Sequence, residues 1–127
     1  MTLKTFPHSM DEVAILAHNA GFRSDGLITS IAVIWAESGG NAWAVNINSN
    51  PGKPTHGSMD LGLAQFNTYW WPAQKANDLM KPEYNVNLMF KASRNGTYFG
   101  YWSAFVYGYH KKYISFAQEA VKRLGLV

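Results

Sequence analysis

Ile31-Ala32-Val33-Ile34-Trp35-Ala36-Glu37-Ser38-Gly39-Gly40-Asn41 reads as the last turns of a buried helix, then a carboxylate, then an abrupt stop. Leu27 and Ile28 extend the apolar surface backwards, so a helix over residues 25–37 is greasy round most of its circumference and belongs at the centre of a core. The paired glycines end it. Beyond them the composition changes: Asn46, Asn48, Asn50, Pro51, Gly52, Pro54, Gly57 and Gly62 crowd into residues 46–65. That mixture suits turns and a small, poorly periodic hairpin rather than helix.

Helical patterns lie on both sides of this polar stretch. Ser9-Met10-Asp11-Glu12 has the form of a capping box, Val13, Leu16 and Ala17 supply an apolar stripe, and Gly21 is the stop. Pro82 suits the first turn of a helix running to Arg94, with Asn95-Gly96 ending it. Ile114, Ala117, Val121 and Leu124 share one face of a helix over 112–124, followed by Gly125. A further short helix fits within 98–110. The sequence therefore predicts one domain over residues 1–127, α+β and mostly helical, with a small β-hairpin lobe inserted after the second helix.

At 127 residues, 47% hydrophobic and 15% charged, the chain can bury a core and is not disordered. With no cysteine, disulfides and thiolate zinc sites are excluded. No apolar run approaches the roughly 18 residues of a membrane span, so no membrane insertion is expected. The first residues also lack the apolar stretch of a secretory signal. His8, His18, His56 and His110 lack metal-ligand spacing, no phosphate-binding glycine loop is present, and Ser38 lacks a nucleophile-elbow context. Neither metal nor cofactor is expected. The net charge of +3 favours an anionic polymer as partner. Lys111-Lys112 and Lys122-Arg123 read as a solvated face, and nucleic acid is not the expected partner.

Of eight carboxylates, Asp11, Glu12, Asp25 and Glu83 fall in first helical turns, where negative charge offsets the helix dipole. Asp78 reads as part of a polar loop, and Glu119 as outward-facing. Glu37 differs, because an apolar helix carries it to a break in the chain. Desolvation and the negative end of the helix would both raise its pKa, as a general acid requires. On position alone it equally fits a solvent-facing helix end. Asp60, in Gly57-Ser58-Met59-Asp60-Leu61-Gly62, reads alone as a turn residue. Paired with Glu37 it gives the two carboxyl groups that commonly flank a glycosidic bond during cleavage. Asn46, Asn48, Gln65 and Asn67 add uncharged donors and acceptors suited to sugar hydroxyls and acetamido groups. Tyr69, Trp70 and Trp71 cannot all point inward, so one or two of these rings should line a groove.

The run from Gly57 to Trp71 closely resembles the catalytic β-hairpin segment of animal c-type lysozymes, with Gly-Ser, Asp, Gly, Gln, Asn and Trp-Trp at the same spacing. Glu37-Ser38 and Ala44-Val45-Asn46-Ile47-Asn48 fit that pattern, with residues 49–56 longer than their counterpart. Ala20-Gly21-Phe22, Ala36-Glu37-Ser38-Gly39-Gly40-Asn41, Trp102-Ser103-Ala104-Phe105 and Tyr107-Gly108-Tyr109 are similar to the soluble lytic transglycosylase-like domains of phages and bacteria. The resemblance implies a lysozyme-like fold with a cleft between its lobes. It also implies a muramidase cleaving the β-1,4 bond between N-acetylmuramic acid and N-acetylglucosamine in peptidoglycan. Glu37 would protonate the glycosidic oxygen and Asp60 would be its ionised partner, with Asn46 and Asn48 beside it. Gln65, Asn67, Tyr69, Trp70 and Trp71 would hold sugar, and Trp102 would be an apolar wall beside Glu37. A lytic transglycosylase giving 1,6-anhydro products is the alternative, and a non-catalytic wall-binding module the second. The expected setting is a monomeric phage lysin released to the cell wall, or a virion-associated domain.

Overall fold

The computed structural model describes residues 7–126, so residues 1–6, read above for a secretory signal, and residue 127 lie outside the described residues. The chain opens with α1 (Met10–Ala20) and α2 (Ser24–Ser38), passes through three short strands, β1 (Val45–Ile47), β2 (Met59–Leu61) and β3 (Phe66–Asn67), and returns to helix. The helical return comprises α3 (Ala76–Leu79), α4 (Pro82–Ala92), α5 (Ser103–Val106), a 3₁₀ turn (Lys111–Tyr113) and α6 (Ile114–Arg123). The architecture is α+β and mostly helical.

Local chemistry sets these boundaries. Ser9 Oγ accepts the Glu12 N–H while the Glu12 carboxylate accepts the Ser9 N–H, so the capping box starts α1 as its spacing predicts. Residues 30–34 are all buried, which is possible only for a helix covered on every side. The helices α1, α5 and α6 supply that cover. Inside it, Ser30 satisfies its hydroxyl by donating to the Leu27 carbonyl at 2.8 Å. Gly39 ends α2 in the left-handed conformation, φ 61°, and returns its N–H to the Trp35 carbonyl.

The polar stretch forms the expected small β lobe, a three-stranded antiparallel sheet in the order β1-β2-β3, so the hairpin gains a third strand. Strands of two or three residues are too short to show alternation. One expectation needs correction. Asp78 belongs to α3 rather than to a loop, with Lys81 Nζ 3.0 Å from its carboxylate. A helix of one turn has no periodicity to read.

One buried side chain ties the sheet to the helices. Asn85, fully buried on α4, accepts the Ala64 N–H at 2.8 Å and donates to the carbonyls of Leu61 (3.1 Å) and Leu79 (2.8 Å). The chain approaches it so closely at Gly62, φ 80°, that a Cβ there would overlap the Leu79 carbonyl and the Asn85 amide. Asn85→Ala strands three buried backbone groups, and a loss of about 3 kcal/mol in urea-unfolding free energy is expected. A loss under about 1 kcal/mol would show that the sheet is anchored by other means.

Candidate active site

Glu37 stands one residue before the end of α2, half-buried, and its Oε2 accepts the backbone N–H of Ala104 at 3.3 Å. Burial is the largest influence on it and pushes its pKa above the ordinary 4.5. The Ala104 N–H stabilises the carboxylate and partly opposes that rise. The negative charge of Asp60 adds to it.

Asp60 occupies the central strand. In register, Asn46 of β1 and Asn67 of β3 flank it, so the three side chains share one face of the sheet. Asp60 Oδ1 accepts from Asn67 Nδ2 at 2.7 Å and from Asn48 Nδ2 at 3.4 Å. The same two amides donate to Ser58 Oγ, at 3.0 and 3.1 Å. The carboxylate is thereby held by two side chains that are themselves held.

Asn67 has a second task. Its Oδ1 accepts the backbone N–H groups of Tyr69 (2.9 Å) and Trp70 (3.2 Å), an Asx-type turn that fixes where the aromatic run leaves the sheet. Tyr69 and Trp70 pack edge to face and stay 47% and 64% exposed, whereas Trp71 turns inward against Phe66. Two of the three rings point outward and one largely inward.

A recess of about 290 Å³ opens beside this turn. Gln65, Phe66, Asn67, Trp70, Trp71, Gly100, Tyr101 and Trp102 line it, with the Trp71 and Tyr101 rings in edge-to-face contact. Neither Glu37 nor Asp60 lines it; Asn67 connects it to the carboxylate. Gln65 spends its amide inside the protein, donating to the Ala44 and Gly62 carbonyls at 3.0 and 2.9 Å and accepting from Asn46 at 2.6 Å. It reaches these partners from a left-handed backbone, φ 56°. Trp102 is 4% exposed and donates Nε1–H to the Ala64 carbonyl at 2.9 Å. The contact with Glu37 comes two residues later, from Ala104.

Sequence reasoning missed Ser58, Tyr101 and Ala104. Ser58 and Tyr101 adjoin residues it had singled out, but Ala104 acts through its main chain and carries no side-chain signal. Among the described residues, no group of three His, Cys, Asp or Glu side chains could hold a metal ion.

The raised pKa of Glu37 has a consequence for stability. Its folded-state value lies above its unfolded value, so the native state binds more proton between the two. Its contribution is fully present below the unfolded value and is lost as pH rises through the folded one. Glu37→Gln removes that loss. The Tm of the variant relative to the unsubstituted protein should therefore climb as pH rises above the ordinary value of 4.5. A difference that does not change with pH would contradict the burial described here.

A family model described as a lysozyme-like domain matches residues 14–104, well over half of the chain, a span that takes in Glu37, the whole sheet, the recess and Ala104. No curated protein and no solved structure matches the chain. Among the described residues, no helix is long and apolar enough to cross a membrane. The chain belongs to the lysozyme-like domain family, whose activity is that of peptidoglycan-directed glycosidases and transglycosylases.

Proposed function

We propose that this chain is a muramidase that hydrolyses the β-1,4 bond between N-acetylmuramic acid and N-acetylglucosamine, with Glu37 as proton donor and Asp60 as the ionised partner. The observation that carries this reading is the contrast between the two carboxyl groups. Glu37 is pushed towards its protonated form by burial and by the neighbouring charge, whereas Asp60 accepts two side-chain hydrogen bonds through one oxygen.

In this mechanism Glu37 gives its proton to the glycosidic oxygen as the bond from that oxygen to the muramic acid C1 breaks. Asp60 stabilises the positive charge left at C1, or bonds to it. Water then adds at C1 and returns a proton to Glu37. The recess between Trp70, Trp71 and Tyr101 suits the flat faces and acetamido group of an N-acetylated sugar. Asn46 and Asn48 steady the carboxylate side of the cleft. Trp102 walls off its apolar side, and Tyr69 and Trp70 offer exposed rings to the strand. A positive net charge suits an anionic wall. We infer the setting of a phage lysin or virion-borne wall-piercing domain, acting as a monomer.

Purified peptidoglycan provides the test. The protein should release muropeptides with free reducing ends, and Glu37→Gln should cut the rate by at least about 10²-fold while remaining folded. Asp60→Asn should cost a comparable factor, on the order of 10²-fold. Exclusively 1,6-anhydro products, with Asp60→Asn nearly as active as the parent, would establish a transglycosylase using one acid/base group. Absence of any soluble product would leave a wall-binding module.

A further inference from the structure

His110 bonds the carbonyl of Ala104, the residue whose N–H, in the preceding peptide group, meets Glu37. It is buried, and both its backbone N–H and its ring Nδ1 lie 3.1 Å from the carbonyl oxygen of Ala104. A carbonyl oxygen only accepts, so Nδ1 carries a hydrogen. That holds for the neutral Nδ1–H tautomer and for the imidazolium alike, which makes the contact indifferent to the charge of His110. Phe105 stacks on the imidazole, with centroids 4.9 Å apart and planes at 27°, and fixes the ring's orientation. Ala104 is held at its carbonyl by His110 while its N–H donates to Glu37 Oε2.

We propose that His110 is a positioning residue for the proton donor. Its Nδ1–H pins Ala104, and the pinned N–H fixes where the Glu37 carboxyl points and how firmly its anion is held. This role rests on the muramidase reading for its effect on catalysis, but not for its effect on Glu37 itself.

The surroundings leave few other groups able to act in the same way. Asp60 is the charged group that bears on Glu37 from the sheet. On the side of α5 and the 3₁₀ turn, Ala104 intervenes between Glu37 and His110, while Lys111 and Lys112 are exposed. On the side of α1, His8 and Glu12 face each other at 3.6 Å. On α6, Glu119, Lys122 and Arg123 are exposed.

The sign of the effect follows from the N–H bond. Ala104 opposes the rise of the Glu37 pKa, so releasing Ala104 should let that pKa climb further. His110→Leu removes the donor and keeps apolar bulk against Phe105. His110→Asn restores a donor at the position of Nδ1, and His110→Gln places its donor one bond further out. The side-chain carboxyl of Glu37 is titrated by ¹³C NMR in each folded protein, and kcat and KM are measured on purified peptidoglycan.

His110→Leu should move the Glu37 midpoint upward and lower kcat about tenfold with KM little changed. His110→Asn should recover most of both, and His110→Gln should resemble the leucine variant. Should the leucine variant not fold, the asparagine and glutamine pair decides alone. An unmoved midpoint, or equal behaviour of asparagine and glutamine, overturns the positioning role. If the unsubstituted protein leaves peptidoglycan intact, the muramidase reading fails, while the titrations still judge the contact between His110 and Ala104.

Discussion

A carboxyl group taken out of water holds its proton more tightly, and the site is arranged around that constraint. The helix α2 is buried on every side through residues 30–34, so whatever it carries at its C-terminal end is drawn towards the interior. Glu37 is carried there. Its backbone contact with Ala104 provides one hydrogen bond, too little to cancel the loss of solvent. The charge of Asp60 then tips the balance further in the same direction. Fold and electrostatics meet at this residue, because the burial that stabilises the core also favours the protonated form of the carboxyl.

The small sheet supplies what the helices cannot. A strand places alternate side chains on one face, so Asn46, Asp60 and Asn67 line up across three strands with no need for long loops. Asn67 then does two things at once, holding Asp60 through its nitrogen and the Tyr69–Trp70 turn through its oxygen. The carboxylate and the aromatic wall are thereby fixed relative to each other by one side chain. Asn85 holds the far end of the same lobe to α3 and α4.

Much of this was legible in the residues. The capping box at Ser9, the all-round apolar α2, and Pro82 at the start of α4 each fixed a helix, because side-chain chemistry and periodicity agreed there. The resemblance carried by Glu37, Asp60, Asn67 and Trp71 pointed to a candidate site before any geometry was known. What stayed hidden has physical reasons. The helix α3 is a single turn, too short for a period to repeat, and β3 has two residues, too few for alternation to register. Asn85 sits in a helix where polar residues commonly face water, and only the fold shows it fully buried. Gln65 has the chemistry of a sugar ligand, yet its amide is spent on the Ala44 and Gly62 carbonyls and on Asn46. Ala104 contributes through its backbone, which no side-chain pattern can reveal.

The electrostatic relation between the two carboxyl groups is the central claim, and a paired titration tests it most directly. In protein carrying ¹³C-labelled Glu and Asp side chains, Glu37 should titrate above its ordinary value of 4.5, and replacing Asp60 by asparagine should bring that midpoint down. A Glu37 midpoint at or below the ordinary value, or one indifferent to the charge at position 60, would contradict the account.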